Sequence, residues 1–169
     1  MLSLNSCIIR QWRWEDRISL PLHANNRNIS INLRDTFPWP YTQEDADKFL
    51  LTSTVESMSR IAAIEINGEA VGGIGIEPLT DVNRYGGELG YWLAERYWGR
   101  GVATEAVSAY SDFIFQNTDL VRLEAHVFSW NTASVKVLEK SNYLFEGIHK
   151  KACYKAEKWC DIHIYAKVR

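Results

Sequence analysis

The sequence predicts a mixed α/β fold, and three observations carry that prediction. Apolar residues follow strand-like runs from Arg60 to Leu93, then recur at three and four from Gly99 to Asn117, then return to strand-like runs near the C-terminus. Asn67-Gly68 lies between two of the apolar runs, and this dipeptide is the strongest short hairpin signal because a type I′ turn needs positive φ at both central residues. Two glycines, Gly99 and Gly101, mark the change from strand to helix period. A strand meander followed by alternating helices and strands belongs to a mixed sheet with helices packed on it.

The elements follow in order. Ile8 to Trp12 reads as a first strand, and Glu15 to Asn25 as a helix interrupted by Pro21. Phe37-Pro38-Trp39-Pro40-Tyr41 is a stiff aromatic loop, since two prolines remove donors and push the residues before them out of the helical region. Thr42 followed by Glu44 and Asp45 opens a helix, with a hydroxyl as cap and acids in the first turn. Arg60 to Ile66 and Ala70 to Ile76 form the hairpin, and Arg84 to Leu93 adds a third strand with Glu88, Gly90 and Trp92 on one face. Ala103, Ala106, Val107, Tyr110, Phe113 and Ile114 mark the buried stripe of the long helix. Arg122 to Val127 is a strand, Thr132 to Ser141 a helix, and Leu144 to Tyr154 and Asp161 to Val168 are the last two strands.

Composition bounds the function. The 169 residues suit a single domain over residues 1–169, and 46% hydrophobic with 24% charged residues is the balance of a globular chain. A net charge of -2 supplies no concentrated positive field, so nucleic acid is not expected as a partner. No long apolar run or basic leader is present, which predicts a cytoplasmic chain without a membrane anchor. Cys7, Cys153 and Cys160 are an odd set without a C-x-x-C pair, so idle thiols are expected and neither a disulfide framework nor a metal site. Seven tryptophans and eight tyrosines exceed what a minimal core needs, which ordinary packing or a cleft for something flat or apolar explains.

The stretch with chemical content is Arg96-Tyr97-Trp98-Gly99-Arg100-Gly101-Val102-Ala103-Thr104. The first four N–H groups of a helix lack partners within it, and here glycines stand where a capping side chain is usual. The amides stay open and the helix dipole favours an anion, so a phosphate group is the natural ligand, with Arg96 and Arg100 as added donors. Neither a P-loop nor a G-x-G-x-x-G fingerprint is present, which leaves the pyrophosphate of a long thiol carrier. The alternative is a tight strand-to-helix turn with no ligand.

Arg96, Gly99 and Gly101 in an Arg-x-x-Gly-x-Gly pattern, preceded by Glu88-Leu89-Gly90-Tyr91-Trp92-Leu93, resemble the acyl-CoA signature of the GNAT N-acetyltransferase superfamily. Asn131-x-x-Ser134, Val137-Leu138-Glu139-Lys140, Glu146-Gly147, Asp161 with Tyr165-Ala166, and Asp35-x-Phe37-Pro38-x-Pro40-Tyr41 resemble its ribosomal-protein serine/alanine N-terminal branch. The resemblance implies a mostly antiparallel sheet of about seven strands with a V-shaped splay. It implies acetyl-CoA as cosubstrate, no metal, and a peptide N-terminus or a small amine as acceptor, with a non-catalytic acyl-CoA-binding module as the alternative. A monomer or a homodimer is compatible with it.

Residue by residue, the resemblance places backbone groups of Trp92, Leu93 and Ala94 along the pantetheine arm, and the amides of Gly99, Arg100, Gly101, Val102, Ala103 and Thr104 on the pyrophosphate. A backbone N–H near Leu93 would meet the developing oxyanion. Asn131 and Ser134 fall beside the thiol end. Asn131 serves equally as an N-cap, whereas Ser134 is harder to assign a structural role and is expected to hydrogen-bond the departing sulfur. The tyrosine acid of other branches is absent, since Leu138, Asn142 and Tyr143 stand in its neighbourhood, and Tyr143 reads as packing. Glu88 is the candidate base or the charge that draws a cationic amine. Asp35, Trp39 and Tyr41 are expected to wall the acceptor side, or alternatively to cover the core.

Overall fold

Two short strands, β1 (Leu2–Ser3) and β2 (Ile8–Arg10), pair antiparallel at the start of the chain in the computed structural model, which describes residues 1–169. The strand expected to reach Trp12 ends at Arg10, and a two-residue β1 is too short to leave a periodic signal. The expected Glu15 to Asn25 helix divides into a 3-10 turn, Trp14–Arg17, and α1 (Ser19–Ala24). Pro21 is not the break. It sits in the first turn of α1, where its missing N–H would have had no helical partner, and the division falls at Ile18. A further one-turn helix, α2 (Arg27–Ser30), is capped by the Asn26 side chain.

Helix α3 (Gln43–Ser53) opens with the expected cap: Thr42 accepts from the Asp45 amide and Asp45 accepts back from Thr42. Strands β3 (Ile61–Ile66) and β4 (Glu69–Pro78) then close over Asn67 and Gly68, whose φ angles of 53° and 84° are the two positive values a type I′ turn requires. Strand β5 (Gly86–Leu93) completes the meander. Helix α4 (Val102–Asn117), β6 (Arg122–Phe128), α5 (Thr132–Lys140), β7 (Leu144–Lys155) and β8 (Lys158–Val168) follow. Asn142 turns the chain out of α5 with φ 64°, the left-handed exit for which Asn is second to Gly.

The sheet has eight strands rather than about seven, in the order β1-β2-β3-β4-β5-β6-β8-β7. All neighbours are antiparallel except β5 and β6. One face carries a cluster built from Ile64, Ile74, Leu123, Leu138 and the α4 residues Ala106, Val107, Tyr110 and Ile114. The other face packs Trp12, Leu20, Tyr41, Ala46 and Leu50 against Ala63 and Ala70. Ser111 is buried in α4 because its hydroxyl bonds the Tyr143 hydroxyl at 2.8 Å, which makes Tyr143 a packing residue as expected.

Cys153 and Cys160 correct the expectation of idle thiols, for they form a disulfide at paired positions of the β7–β8 hairpin. Hairpin register brings them opposite each other, and their spacing along the chain carries no sign of it. Cys7 stays free, and burial pushes its thiol up. No helix is long and apolar enough to cross a membrane.

Arg10 is the most buried cation, 3% exposed, and Asp16 takes two of its donors at 2.7 and 2.8 Å while Glu65 takes the Nε–H. This pairing pins the 3-10 turn to the sheet. Removing one partner leaves a desolvated charge, which costs far more than the intact pair contributes. Asp16→Ala is therefore expected to lower unfolding stability by about 3 kcal/mol, measured as a lower urea midpoint at unchanged slope. A loss below about 1 kcal/mol would mean that water reaches the guanidinium.

Candidate active site

Strands β5 and β6 pair over three residues only, from Gly86↔Arg122 to Glu88↔Glu124, and then part. Beyond that point one edge of β5 has no strand beside it. The Ala94 amide donates to the Val71 carbonyl at 2.7 Å and Leu79 donates to Gly86, so the even-numbered residues of β5 bond β4. The odd-numbered ones, Leu89, Tyr91 and Leu93, turn their backbone groups toward the gap. This corrects the expected run of Trp92, Leu93 and Ala94: the backbones of Trp92 and Ala94 serve β4, and Leu93 and Tyr91 face the opening. The Leu93 carbonyl is taken by the Trp98 indole N–H at 2.7 Å, which leaves the Leu93 N–H aimed at the gap.

At one end of the gap stands the N-terminus of α4. Gly101 is its N-cap, in the left-handed region at φ 83°, and no side chain caps the helix. Gly99 is also left-handed at φ 72°, and a Cβ added at either glycine would meet nothing within 4 Å. The approach to the amides of Val102, Ala103 and Thr104 is open, and all three residues line the cleft with Gly99 and Gly101. Neither arginine does. Arg96 bonds Glu69 at 2.9 Å and lies over Tyr97, and Arg100 stands 5.8 Å from the same ring. The expected cationic donors thus stand aside, and backbone N–H groups with the helix dipole form the anion seat. These donors fit a diphosphate.

The cleft occupies about 1330 Å³ and runs along the opening between β5 and β6. Ser134 and Asn131 line it from the start of α5. Asn131 caps α5, its side-chain oxygen accepting the Ser134 amide at 3.2 Å. The Ser134 hydroxyl meets the Tyr91 hydroxyl at 2.7 Å. Burial pushes the Tyr91 pKa up to about 12, against the opposing effect of the Ser134 bond, so the phenol keeps its proton at every ordinary pH. Sequence reasoning missed Tyr91. Its odd position, opposite in parity to Glu88, was the available signal.

Across the opening, Glu88 is less free than a candidate base should be. One of its oxygens accepts from Arg34, and the other lies 3.8 Å from His126 Nδ1. Asp35 is held by Lys155 at 2.6 Å. Trp39 does not line the cleft: it is 50% exposed, with the Arg27 guanidinium 4.7 Å from its ring. Tyr41 does line it, yet it is only 5% exposed and packs on Phe37, its hydroxyl pushed up to about 12 by burial and then by the Asp45 charge. Phe37, from the same loop, and Trp92, 5.7 Å apart, form the aromatic wall that Trp39 and Tyr41 were expected to supply. Prolines set the loop's stiffness, but which aromatic points inward depends on α1 and α3 beneath it.

Comparison with known proteins places this geometry. Twenty-four per cent identity over 142 residues links the chain to the ribosomal-protein-serine acetyltransferase of Escherichia coli (strain K12), covering 80% of this chain and 79% of that one. An uncharacterized N-acetyltransferase, p20, of Bacillus licheniformis is 30% identical over 101 residues, 60% of this chain and 56% of that one. The chain spans about half the length of the first curated relatives it matches. Among solved structures, a ribosomal L7/L12 alpha-N-protein acetyltransferase in complex with coenzyme A superposes with a TM-score of 0.86 at 20% identity, over 98% of this chain and 95% of that one. A spermidine N-acetyltransferase of Vibrio cholerae does so with a TM-score of 0.80 at 18% identity, over 98% and 96%. At such identities the likeness is one of fold. The acetyltransferase (GNAT) domain profile, however, matches residues 7–143, most of the sheet and the whole open helix end, and the chain belongs to that family.

Proposed function

We propose that this chain transfers the acetyl group of acetyl-CoA to a primary amine, with the N-terminus of a peptide or protein as the acceptor class. The observation that carries the reading is the uncapped α4 N-terminus opening onto a gap in the sheet. Bound acetyl-CoA supplies a thioester carbonyl open to attack by an amine. The residues do the rest. Val102, Ala103 and Thr104 hold the diphosphate through backbone N–H groups, and the free edge of Tyr91 and Leu93 pairs with the amide-bearing arm as a strand would. The Leu93 N–H is placed for charge developing on the carbonyl oxygen. Ser134, backed by the protonated Tyr91 hydroxyl, donates to the departing sulfur. Glu88 supplies negative charge for an incoming ammonium.

The acceptor class rests on charge. Four acids line the cleft: Glu88, Asp35 and Glu77 each already have a cation, Arg34, Lys155 and Arg60, and Asp45 accepts from the Thr42 amide and hydroxyl. A polycation needs several uncommitted carboxylates, and this wall has none among the four. A single ammonium on a peptide chain suits it better, with Phe37 and Trp92 beside the first residues. The relatives named as ribosomal-protein acetyltransferases support the same class.

Three measurements test the reading. Acetyl-CoA at about 100 times its dissociation constant should stabilise the chain by about 2.7 kcal/mol, seen as a rise in Tm. Gly101→Glu should abolish that rise by setting a carboxylate at the anion seat. Gly101→Ala, which shares the left-handed strain without the charge, should keep part of it. Ser134→Ala and Tyr91→Phe should each lower kcat by roughly 10- to 100-fold, the loss of one charge-assisted hydrogen bond, with little change in KM for acetyl-CoA. Because the Tyr91 pKa is raised, its donor is present below pH 12 and the Ser134 effect should not vary between pH 6 and 9. In thiol-release assays, peptides with a free N-terminus should exceed spermidine in kcat/KM, and the reverse order would overturn the acceptor class.

A further inference from the structure

Resting on the proposed acetyl transfer, we infer that His126 is the proton acceptor for the amine, and that Glu88 acts as the charge beside it. An amine near neutral pH is mostly ammonium and has no lone pair to attack with until a proton leaves. His126 lies on β6 two residues beyond the last β5–β6 pair, and its side chain lines the cleft from the β6 side of the opening. Its Nε2 meets Glu124 Oε1 at 3.1 Å. Glu124 is itself held by Arg122, whose Nε and Nη2 both reach the carboxylate at 3.3 Å. A carboxylate only accepts, so neutral His126 carries its proton on Nε2 and presents the Nδ1 lone pair elsewhere.

Nδ1 has Glu88 Oε2 at 3.8 Å, too far for a hydrogen bond, so the lone pair has no donor and stands beside a carboxylate that attracts an ammonium. An ammonium drawn to Glu88 is thereby brought to the unprotonated nitrogen. Glu124 thus orients the imidazole and leaves Nδ1 as the acceptor turned to the cleft. Glu88 cannot fill the role as well, because Arg34 already occupies its other oxygen. The remaining groups around the ring are few. His149 on β7 stands 6.3 Å away between ring centroids, the facing residue on β8 is Ile164, and Lys155, which lines the same cleft, is paired with Asp35.

The proton and electron balance closes without a further reactant. Nδ1 takes one proton from the ammonium. The freed nitrogen pair forms the C–N bond, and the C–S bond breaks with its electrons left on sulfur. The nitrogen's surplus proton ends on the sulfur, and Nδ1 returns its own to water.

His126→Gln keeps a donor toward Glu124 and removes the acceptor lone pair. With an unblocked hexapeptide beginning in alanine as probe, kcat/KM should fall about 100-fold or more, while the acetyl-CoA thermal shift stays as in wild type. Added imidazole should restore part of the rate in His126→Ala. Nitrogen-15 shifts of the free chain should place the neutral-form proton on Nε2. An active wild type whose His126→Gln keeps more than half its rate, or a proton found on Nδ1, overturns the inference alone. A wild type that binds acetyl-CoA and acetylates no amine overturns the proposed function and this inference together.

Discussion

Two parallel strands that separate after three residue pairs create the constraint on which the rest of the molecule depends. Beyond Glu88 and Glu124, backbone groups of β5 lie inside a sheet with no strand to bond them. Such groups are costly to leave unpaired in a protein interior, so the gap has to be filled by a ligand with its own amides or by water. The fold keeps the gap open from both ends. Trp98 bonds back to Leu93 and holds the turn into α4, and Asn131 caps α5 on the opposite lip. Glu105 accepts from the amides of Asn5 and Ser6, which ties the first turn of α4 to the N-terminal hairpin.

This constraint explains why the chemistry divides between two sides. Odd residues of β5 face the core and the α5 start, and there Tyr91 finds Ser134. Even residues face the opposite side of the sheet, and there Glu88 finds Arg34 and His126. The period-two alternation of one strand thus separates the neutral Tyr91–Ser134 hydroxyl pair from the charged Glu88, a division on which the proposed acetyl transfer draws. The β7–β8 hairpin adds the outer wall: its disulfide ties Cys153 to Cys160, and the neighbouring Lys155 reaches across to Asp35. The loop from Asp35 to Tyr41 is tied down at one end by this ion pair and at the other by Tyr41 packing on Phe37.

Where local rules govern, the sequence was legible. The Asn67-Gly68 turn, the Thr42 cap, the α4 stripe and the left-handed exit at Asn142 each rest on a few adjacent residues, and each was readable from them. The division at Ile18 was misplaced because Pro21 is a breaker only outside the first turn. Arg96 and Arg100 were assigned to phosphate as charged donors, and Arg96 also by its place in the Arg-x-x-Gly-x-Gly signature. Glu69 lies 27 residues from Arg96, on the neighbouring strand, and nothing local shows that it takes the guanidinium. The Cys153–Cys160 bond was hidden for the same reason, since it follows from hairpin register.

By itself the sequence determined the mixed α/β class, the helix end stripped of side-chain caps, and the family signature around Arg96, Gly99 and Gly101. These are properties of short segments, where steric and hydrogen-bonding preferences act between neighbours. Only the tertiary structure decided which backbone groups face the gap, that Tyr91 stands behind Ser134, and that His126 lies between Glu88 and Glu124. Those pairings join strands far apart in the chain, and a side chain's role in them is set by the charge and burial that distant residues bring to it.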